Sequence, residues 1–360
     1  MQRDPSAASP LPLDAGAAPT VAEFIDRALY DPHGGYYATR SRRSGASGDF
    51  ITSVDVGPLF GELVAIQLAE MWQRMDAGGA LDLVEAGAGD GRLTRDILDA
   101  LATDRPDLYA RLHVTLVERS DPARRAAATT LHAHAARVED IRAGLPERIR
   151  GVLLANELLD AMPVHVLVKT TRGLEELYLH RRGEEVAHLP GPLSDSRLAE
   201  GVDAEALAVG WRAERSLAVP DWIASAAASL ERGFLLLVDY VRGCSPDTLL
   251  GYSEHATTTQ WFARPGTRDI TSHVDLDQVR RAAAACGLVE CGCVDQTYFL
   301  TSLGIVARLS AAPDKGSLAR RLGAKMLILP GGLGSTMKVI GFASRVDGAG
   351  LRGFSQGRVT

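Results

Sequence analysis

The chain carries little cysteine: Cys244, Cys286, Cys291 and Cys293 are its only four thiols in 360 residues. Three of them crowd one short stretch, which excludes the disulfide framework that staples small secreted folds. Cys291-x-Cys293 lacks the two-residue gap of a zinc knuckle. On a strand both would point to one face, which reads as buried reduced thiols, and no metal site is expected. No apolar run approaches the roughly 18 residues of a membrane span. An excess of positive charge is also missing: 39 Lys and Arg against 45 Asp and Glu leave a net charge of -6. That balance argues against broad nucleic-acid binding. Residues 1–20, rich in Ala and Pro, have neither the apolar core of a secretory signal nor an Arg-rich transit pattern. They read as a disordered leader, and a cytoplasmic location is expected.

What the chain does have is concentrated between Leu81 and Leu98. The apolar run Leu81 to Val84 suits a buried parallel strand, and it ends in Glu85. Gly87, Gly89 and Gly91 follow, and then a helical pattern with Leu93, Ile97 and Leu98 on one face. Thr94 and Asp96 stand in the first turns, where side-chain oxygens are expected to help satisfy free amides. Strand, glycine loop and helix bring backbone amides close to a nucleotide-like ligand. The loop alone leaves two cofactors open, S-adenosylmethionine and NAD. The dinucleotide fingerprint needs a glycine where Arg92 stands, which favours the former.

Further acids fall at strand ends. His113 to Val117 is an apolar strand ending in Glu118, the place and residue type that receive paired ribose hydroxyls. Ala136 to Glu139 is a third, weaker strand, and Asp140 after it, or Glu139 at its end, is a candidate for the adenine amino group. Gly151 to Ala155 is a strong fourth strand running into Asn156-Glu157-Leu158-Leu159-Asp160. Polar residues at the carboxyl end of a parallel strand are where open α/β sheets place chemistry. A turn with a helix cap would use the same residues. Val164 to Thr170 and Glu175 to His180 alternate around Arg172-Gly173 as a β-hairpin. Gly233 to Asp239, Leu288 to Val294 and Met337 to Phe342 supply three more strands, the last expected to be antiparallel.

Other stretches are more specific than any glycine loop. Leu29-Tyr30-Asp31-Pro32 precedes Gly34-Gly35-Tyr36-Tyr37, and Gly48-Asp49-Phe50-Ile51-Thr52 leads to Pro58-Leu59-Phe60-Gly61-Glu62. Downstream stand Asn156-Glu157 with Asp160-Ala161-Met162-Pro163, and Pro265-Gly266 with Asp269-Ile270-Thr271-Ser272-His273-Val274-Asp275. Together they resemble the MidA family of S-adenosylmethionine-dependent methyltransferases across roughly residues 21–342. Val54-Asp55 stands where the family has Pro-Glu, and Ala88 where it generally has proline.

The resemblance implies an α/β, class I methyltransferase-like (Rossmann-like) fold, with a mostly parallel sheet and helices on both faces. Linear organisation is expected: leader 1–20, an N-terminal helical cap 21–78, the cofactor domain 79–342 with a β-rich substrate-side insertion at about 164–220, and a tail 343–360. It implies S-adenosylmethionine as cofactor, bound by Glu85, Gly87, Gly89, Gly91, Glu118 and Asp140, with Asp49 and Thr52 closing over it. It also implies a protein arginine as acceptor. A guanidinium is a planar, permanently charged fork that a carboxylate grips bidentately. Glu157 is the first choice for that grip, with Asn156 and Asp160 beside it and His273 or His255 as proton acceptors. A scaffold that binds the cofactor without turnover and a small-molecule methyltransferase are the alternatives. The oligomeric state stays open, a homodimer included.

Overall fold

The computed structural model describes residues 18–39, 45, 52–75, 79–182, 185–242, 247–253, 256–310, 317–330 and 332–356. Residues 1–17 of the expected leader lie outside the described residues, as do Arg40, Arg42, Arg43, Asp49, Cys244 and His255. Pro19 and Thr20, counted with the leader, belong to the fold: the Leu179 amide donates to the Pro19 carbonyl at 2.9 Å.

Contacts divide the chain into two compact units. One holds the described part of residues 1–40 with Leu159–Asp221 and Arg242–Val279; the other holds the described remainder. This differs from the linear division expected above. Helix α1 (Val21–Tyr30) groups with the insertion, whereas helix α2 (Leu59–Arg74) groups with the main sheet, because each buries its apolar face there.

The main-sheet unit contains strands β1 (Leu81–Ala86), β2 (Leu112–Val117), β3 (Val138–Arg142), β4 (Ile149–Asn156), β5 (Leu230–Arg242), β6 (Val289–Asp295) and β7 (Met337–Ser344). Their order is β6-β7-β5-β4-β1-β2-β3. The pairs from β5 to β3 are parallel, and β7 runs antiparallel to both neighbours. The expected antiparallel last strand is therefore present, inserted between β5 and β6. Leu83, Val152, Leu154, Phe234, Leu236 and Val238 join one core cluster with α2 and with helix α3 (Arg92–Asp104). Residues on the opposite pleat, among them Val84, Leu153, Leu235 and Leu237, are buried too. Burial of both faces explains why these strands read as continuous apolar runs.

Two close approaches shape this unit. Gly61 on α2 lies against α3, where a Cβ would meet that of Asp96 at 2.6 Å. Gly151 pairs with Gly233 across β4 and β5, and a Cβ on Gly151 would stand 1.9 Å from the Asp82 carbonyl oxygen. The cysteine expectation is corrected in part. A bulge between Glu290 and Gly292 takes Cys291 off the strand alternation, so Cys293 is buried while Cys291 is partly exposed. Burial pushes the Cys293 thiol up to about 11.

The second unit is β-rich, as expected of the insertion. Its four-stranded antiparallel sheet runs Glu185–Gly191, Gly173–Arg182, His165–Thr170, Arg212–Arg215, and the hairpin closes at Thr170 and Gly173. Helix α1 starts in a capping box that Thr20-x-x-Glu23 spells out in the sequence: the Glu23 amide donates to Thr20 Oγ1 at 3.1 Å and the Thr20 amide to Glu23 Oε2 at 2.9 Å. Val21, Phe24, Ile25 and Leu29 then pack with Leu177, Leu179 and Trp261. Two family motifs interlock in this unit. The Tyr37 hydroxyl donates to Asp269 Oδ1 at 2.8 Å, and Gly266 approaches so closely that a Cβ would stand 2.2 Å from the Gly34 carbonyl oxygen.

Among the described residues no helix is long and apolar enough to cross a membrane. None of their His, Cys, Asp and Glu side chains form a group of three or more able to hold a metal ion. Gly151→Ala is expected to cost about 1–3 kcal/mol, the range for overpacking a close-packed site. Urea unfolding followed by circular dichroism measures it; an unchanged midpoint would contradict the tight β1–β4–β5 spacing.

Candidate functional site

The glycine loop leaves β1 and turns into α3 through three left-handed residues, Gly87, Gly89 and Gly91, at φ of 71°, 56° and 78°. Such angles cost a side chain about 1–2 kcal/mol. The Gly87 and Ala88 amides donate to the Val117 carbonyl at 2.8 and 3.2 Å, tying the loop to the end of β2. Gly91 has no side chain to cap α3. Glu85 does so instead, from the strand: its Oε2 accepts the Thr94 amide at 3.2 Å and the Thr94 hydroxyl. The expectation for Thr94 and Asp96 is thus corrected. The Thr94 hydroxyl is a donor here, and Asp96 pairs with Arg95 at 2.7 Å. Burial pushes the Glu85 carboxyl up to about 7, against the pull of Thr94.

Glu118 stands at the end of β2, buried, with Oε2 accepting from the Gly89 amide at 3.0 Å and Oε1 from Ser120 at 2.7 Å. Its two oxygens therefore sit beside bare backbone. A Cβ built on Gly89 would meet nothing within 4 Å, so the loop faces open space at that point. An enclosed acid next to an open glycine fits the ribose side of a nucleoside cofactor. Asp140 is not brought to this edge. Strand β3 extends to Arg142, which leaves Asp140 exposed in mid-strand on the sheet's edge, 3.7 Å from Arg142 Nη1.

Glu157 follows β4 in the left-handed region, at φ 52°. Strain of this kind in a residue other than glycine persists only where neighbours impose it. Here the Glu157 amide donates to the Val238 carbonyl at 2.8 Å, and the Leu158 amide to Asp239 Oδ2 at 3.1 Å. Asp239, almost fully buried in the last part of β5, also accepts from the Tyr240 amide at 2.8 Å. Glu157 Oε1 accepts from Asn156 Nδ2 at 3.2 Å and from the Ser53 amide at 3.3 Å. Asn156 Oδ1 is buried with no partner among the described residues. Glu157 keeps some solvent contact, but protein surrounds its carboxyl widely; that burial, with Asp239 nearby, pushes it up to about 8.

A turn from Thr52 to Asp55 links the two ends of the site. Asp55 Oδ2 accepts from the Thr52 amide and hydroxyl, both at 2.9 Å, and Oδ1 pairs with Arg92 Nη1 at 2.5 Å. Burial pushes the Asp55 carboxyl up, but the Thr52 amide, Arg92 and the Thr52 hydroxyl together hold it below the usual range. Thr52 thus braces a turn whose next residue, Ser53, reaches Glu157.

The sheet edge therefore gathers Glu85, Gly87, Gly89, Gly91, Glu118, Asn156, Glu157 and Thr52. Asp160 and His273 fall in the other unit. There the Asp160 carbonyl accepts from the Ser272 amide at 2.9 Å, and the His273 amide donates to Thr248 Oγ1 at 2.9 Å. Sequence reasoning missed Ser53, Asp55 and Asp239. Asp239 had a signal, an acid closing the fifth apolar strand, and Asp55 had another, an acid where the resembled family has Glu; Ser53 had none beyond its turn-forming type.

Two outcomes test this geometry. Gly89→Val should abolish binding of S-adenosylmethionine in calorimetry while leaving circular dichroism native; retained affinity would move the cofactor elsewhere. Glu157 binds its proton more tightly when folded, so its contribution to stability is full below about 4.5 and is lost as pH rises through about 8. Denaturation of Glu157→Gln across that window should show a flatter decline than the unaltered protein, and an equal decline would refute the assignment.

A family of S-adenosyl-L-methionine-dependent methyltransferases matches residues 63–294. The chain is 30% identical over 386 residues to the mitochondrial protein arginine methyltransferase NDUFAF7 homolog of Drosophila melanogaster, covering 95% of this chain and 86% of that protein. It is 31% identical over 328 residues to human mitochondrial protein arginine methyltransferase NDUFAF7, covering 83% and 73%. A crystal structure from Burkholderia thailandensis, bound to S-adenosyl-homocysteine, superposes with a TM-score of 0.85 at 29% identity, over 96% of this chain and 92% of that one. The mitochondrial names of the relatives overturn the cytoplasmic location expected from residues 1–20. Leader composition answers to no packing constraint and was a poor guide. The glycine loop, the strand-end acids and these matches agree: the chain belongs to this family of S-adenosyl-L-methionine-dependent methyltransferases.

Proposed function

We propose that this methyltransferase acts on an arginine guanidinium of a protein, with Glu157 as the group that grips it. The observation that carries the reading is the Glu157 carboxyl beside Asp239, in the same unit as the glycine loop. The names of the Drosophila and human relatives support the acceptor class.

When bound, S-adenosylmethionine supplies a methyl group on a positively charged sulfur. Displacement there is in line, so the residues act mainly by positioning the nucleophilic nitrogen. Glu118 and the Gly87–Gly91 loop are assigned to the cofactor, and Thr52 to the turn that braces the loop against Glu157. An arriving guanidinium stabilises the ionised form of Glu157, which releases its proton and takes two N–H donors. That fork leaves one nitrogen free to attack. Methylation gives the nitrogen a proton to lose, and Glu157, already ionised by the guanidinium, is the base placed to accept it; burial and Asp239 favour the protonated carboxyl that results. Asn156 keeps Oε1 in place through its side-chain amide.

Incubating the purified protein with labelled S-adenosylmethionine and a cell extract, followed by mass spectrometry, should find label on arginine. Label confined to lysine or to small molecules would overturn the acceptor. Glu157→Ala should lower kcat by about 100-fold or more, the scale of a lost acid–base group, with cofactor affinity kept. Burial is the larger cause of the raised Glu157 carboxyl and Asp239 the second; Asp239→Asn removes the second, so the rising limb of the pH–rate profile should move to lower pH.

A further inference from the structure

Large apolar side chains are exposed unevenly. Among the described residues the exposed ones are Val209, Val289, Tyr298, Val306, Leu318, Leu322, Met326 and Leu329. Half of these lie on the helix Ser317–Ile328 or directly after it, at 43–68% exposure. Leu318, Leu322 and Met326 are spaced by four, so they form one row along the helix. Tyr298 and Val306 stand on Gln296–Ser302 and Ile305–Ser310, two short helices packed against it.

The inner face of the long helix is already committed. Gly323 lets it approach so closely that a Cβ would lie 2.4 Å from the Val56 carbonyl oxygen, and Ala324 and Leu327 are buried. Arg320 is forked onto Glu62 at 2.6 and 2.5 Å, and Arg308 meets Glu62 and Asp104. Arg321 and Lys325 are different. Both are exposed, neither has an ion pair among the described residues, and their spacing of four makes a basic row beside the aliphatic one.

The three helices contain no Asp or Glu, in a chain of net charge -6. We propose that this face binds an anionic lipid surface, with Leu318, Leu322 and Met326 entering the interface and Arg321 and Lys325 meeting the headgroups. Charge selects the occupant. A second copy would set these cations against their own kind, whereas an anionic bilayer complements them. Tyr298 suits the headgroup level, where aromatic rings collect.

Co-sedimentation of the full chain tests it, using vesicles of phosphatidylcholine with and without phosphatidylglycerol. Binding should require the anionic lipid and weaken with salt. Arg321→Glu with Lys325→Glu should lower the affinity by about tenfold or more, since each basic residue near such a surface contributes appreciably. Leu318→Ser with Leu322→Ser and Met326→Ser should lower it similarly, with S-adenosylmethionine affinity and thermal unfolding showing each variant folded. Failure of the unaltered protein to bind anionic vesicles overturns the proposal. So does unchanged binding by both variants, or a dimer in sedimentation velocity that the leucine variant dissociates.

Discussion

Carboxylates held out of water by backbone amides are the constraint around which the cofactor-side unit is built. Glu85 takes the Thr94 amide, Glu118 those of Gly89 and Ser120, and Asp239 those of Leu158 and Tyr240. A buried carboxylate without such donors is strongly unfavourable, so each acid dictates the path of the chain that supplies them. Glu85 fixes where α3 starts, Glu118 fixes the glycine loop, and Asp239 fixes the turn after β4. The left-handed conformation of Glu157 follows from the last of these.

Glu157 is the less fully served of the strand-end acids. Its Oε1 has one backbone amide at 3.3 Å and one side-chain amide at 3.2 Å, and Asp239 is an unfavourable neighbour. A carboxyl in that position gains most from a cation, which is the physical basis for assigning it to the substrate rather than to the scaffold. The contrast with Glu118 is one of donors, since both are acids at the carboxyl edge of the same parallel sheet.

The motifs that were most distinctive in the sequence do different work. Asp31 accepts from the His33 and Gly34 amides, Tyr37 reaches Asp269, and Gly266 closes on Gly34. These contacts knit one unit together. Gly61 and Glu62 likewise serve packing, the first by letting α3 approach and the second by holding Arg308 and Arg320. A motif can therefore identify a family through its scaffold while the reacting residues remain few.

The sequence by itself determined the strand–loop–helix at Leu81–Leu98, the apolar strands, the capping box at Thr20 and Glu23, and the strand-end acids Glu118 and Glu157. Each is a local pattern, carried by periodicity, glycine or a cap within a few residues. Tertiary structure alone decided the rest. Ser53 and Glu157 are 104 positions apart and Asp55 and Arg92 are 37 apart, so only the folded sheet brings them together. Asp140 was misplaced because a weak edge strand ran to Arg142, a boundary set by its pairing with β2 rather than by its own composition. Asp160 and His273 fall in the other unit, where the Asp160 carbonyl accepts from the Ser272 amide and the His273 amide donates to Thr248 Oγ1. Sequence spacing names the acids; only the fold decides which backbone amides reach each of them.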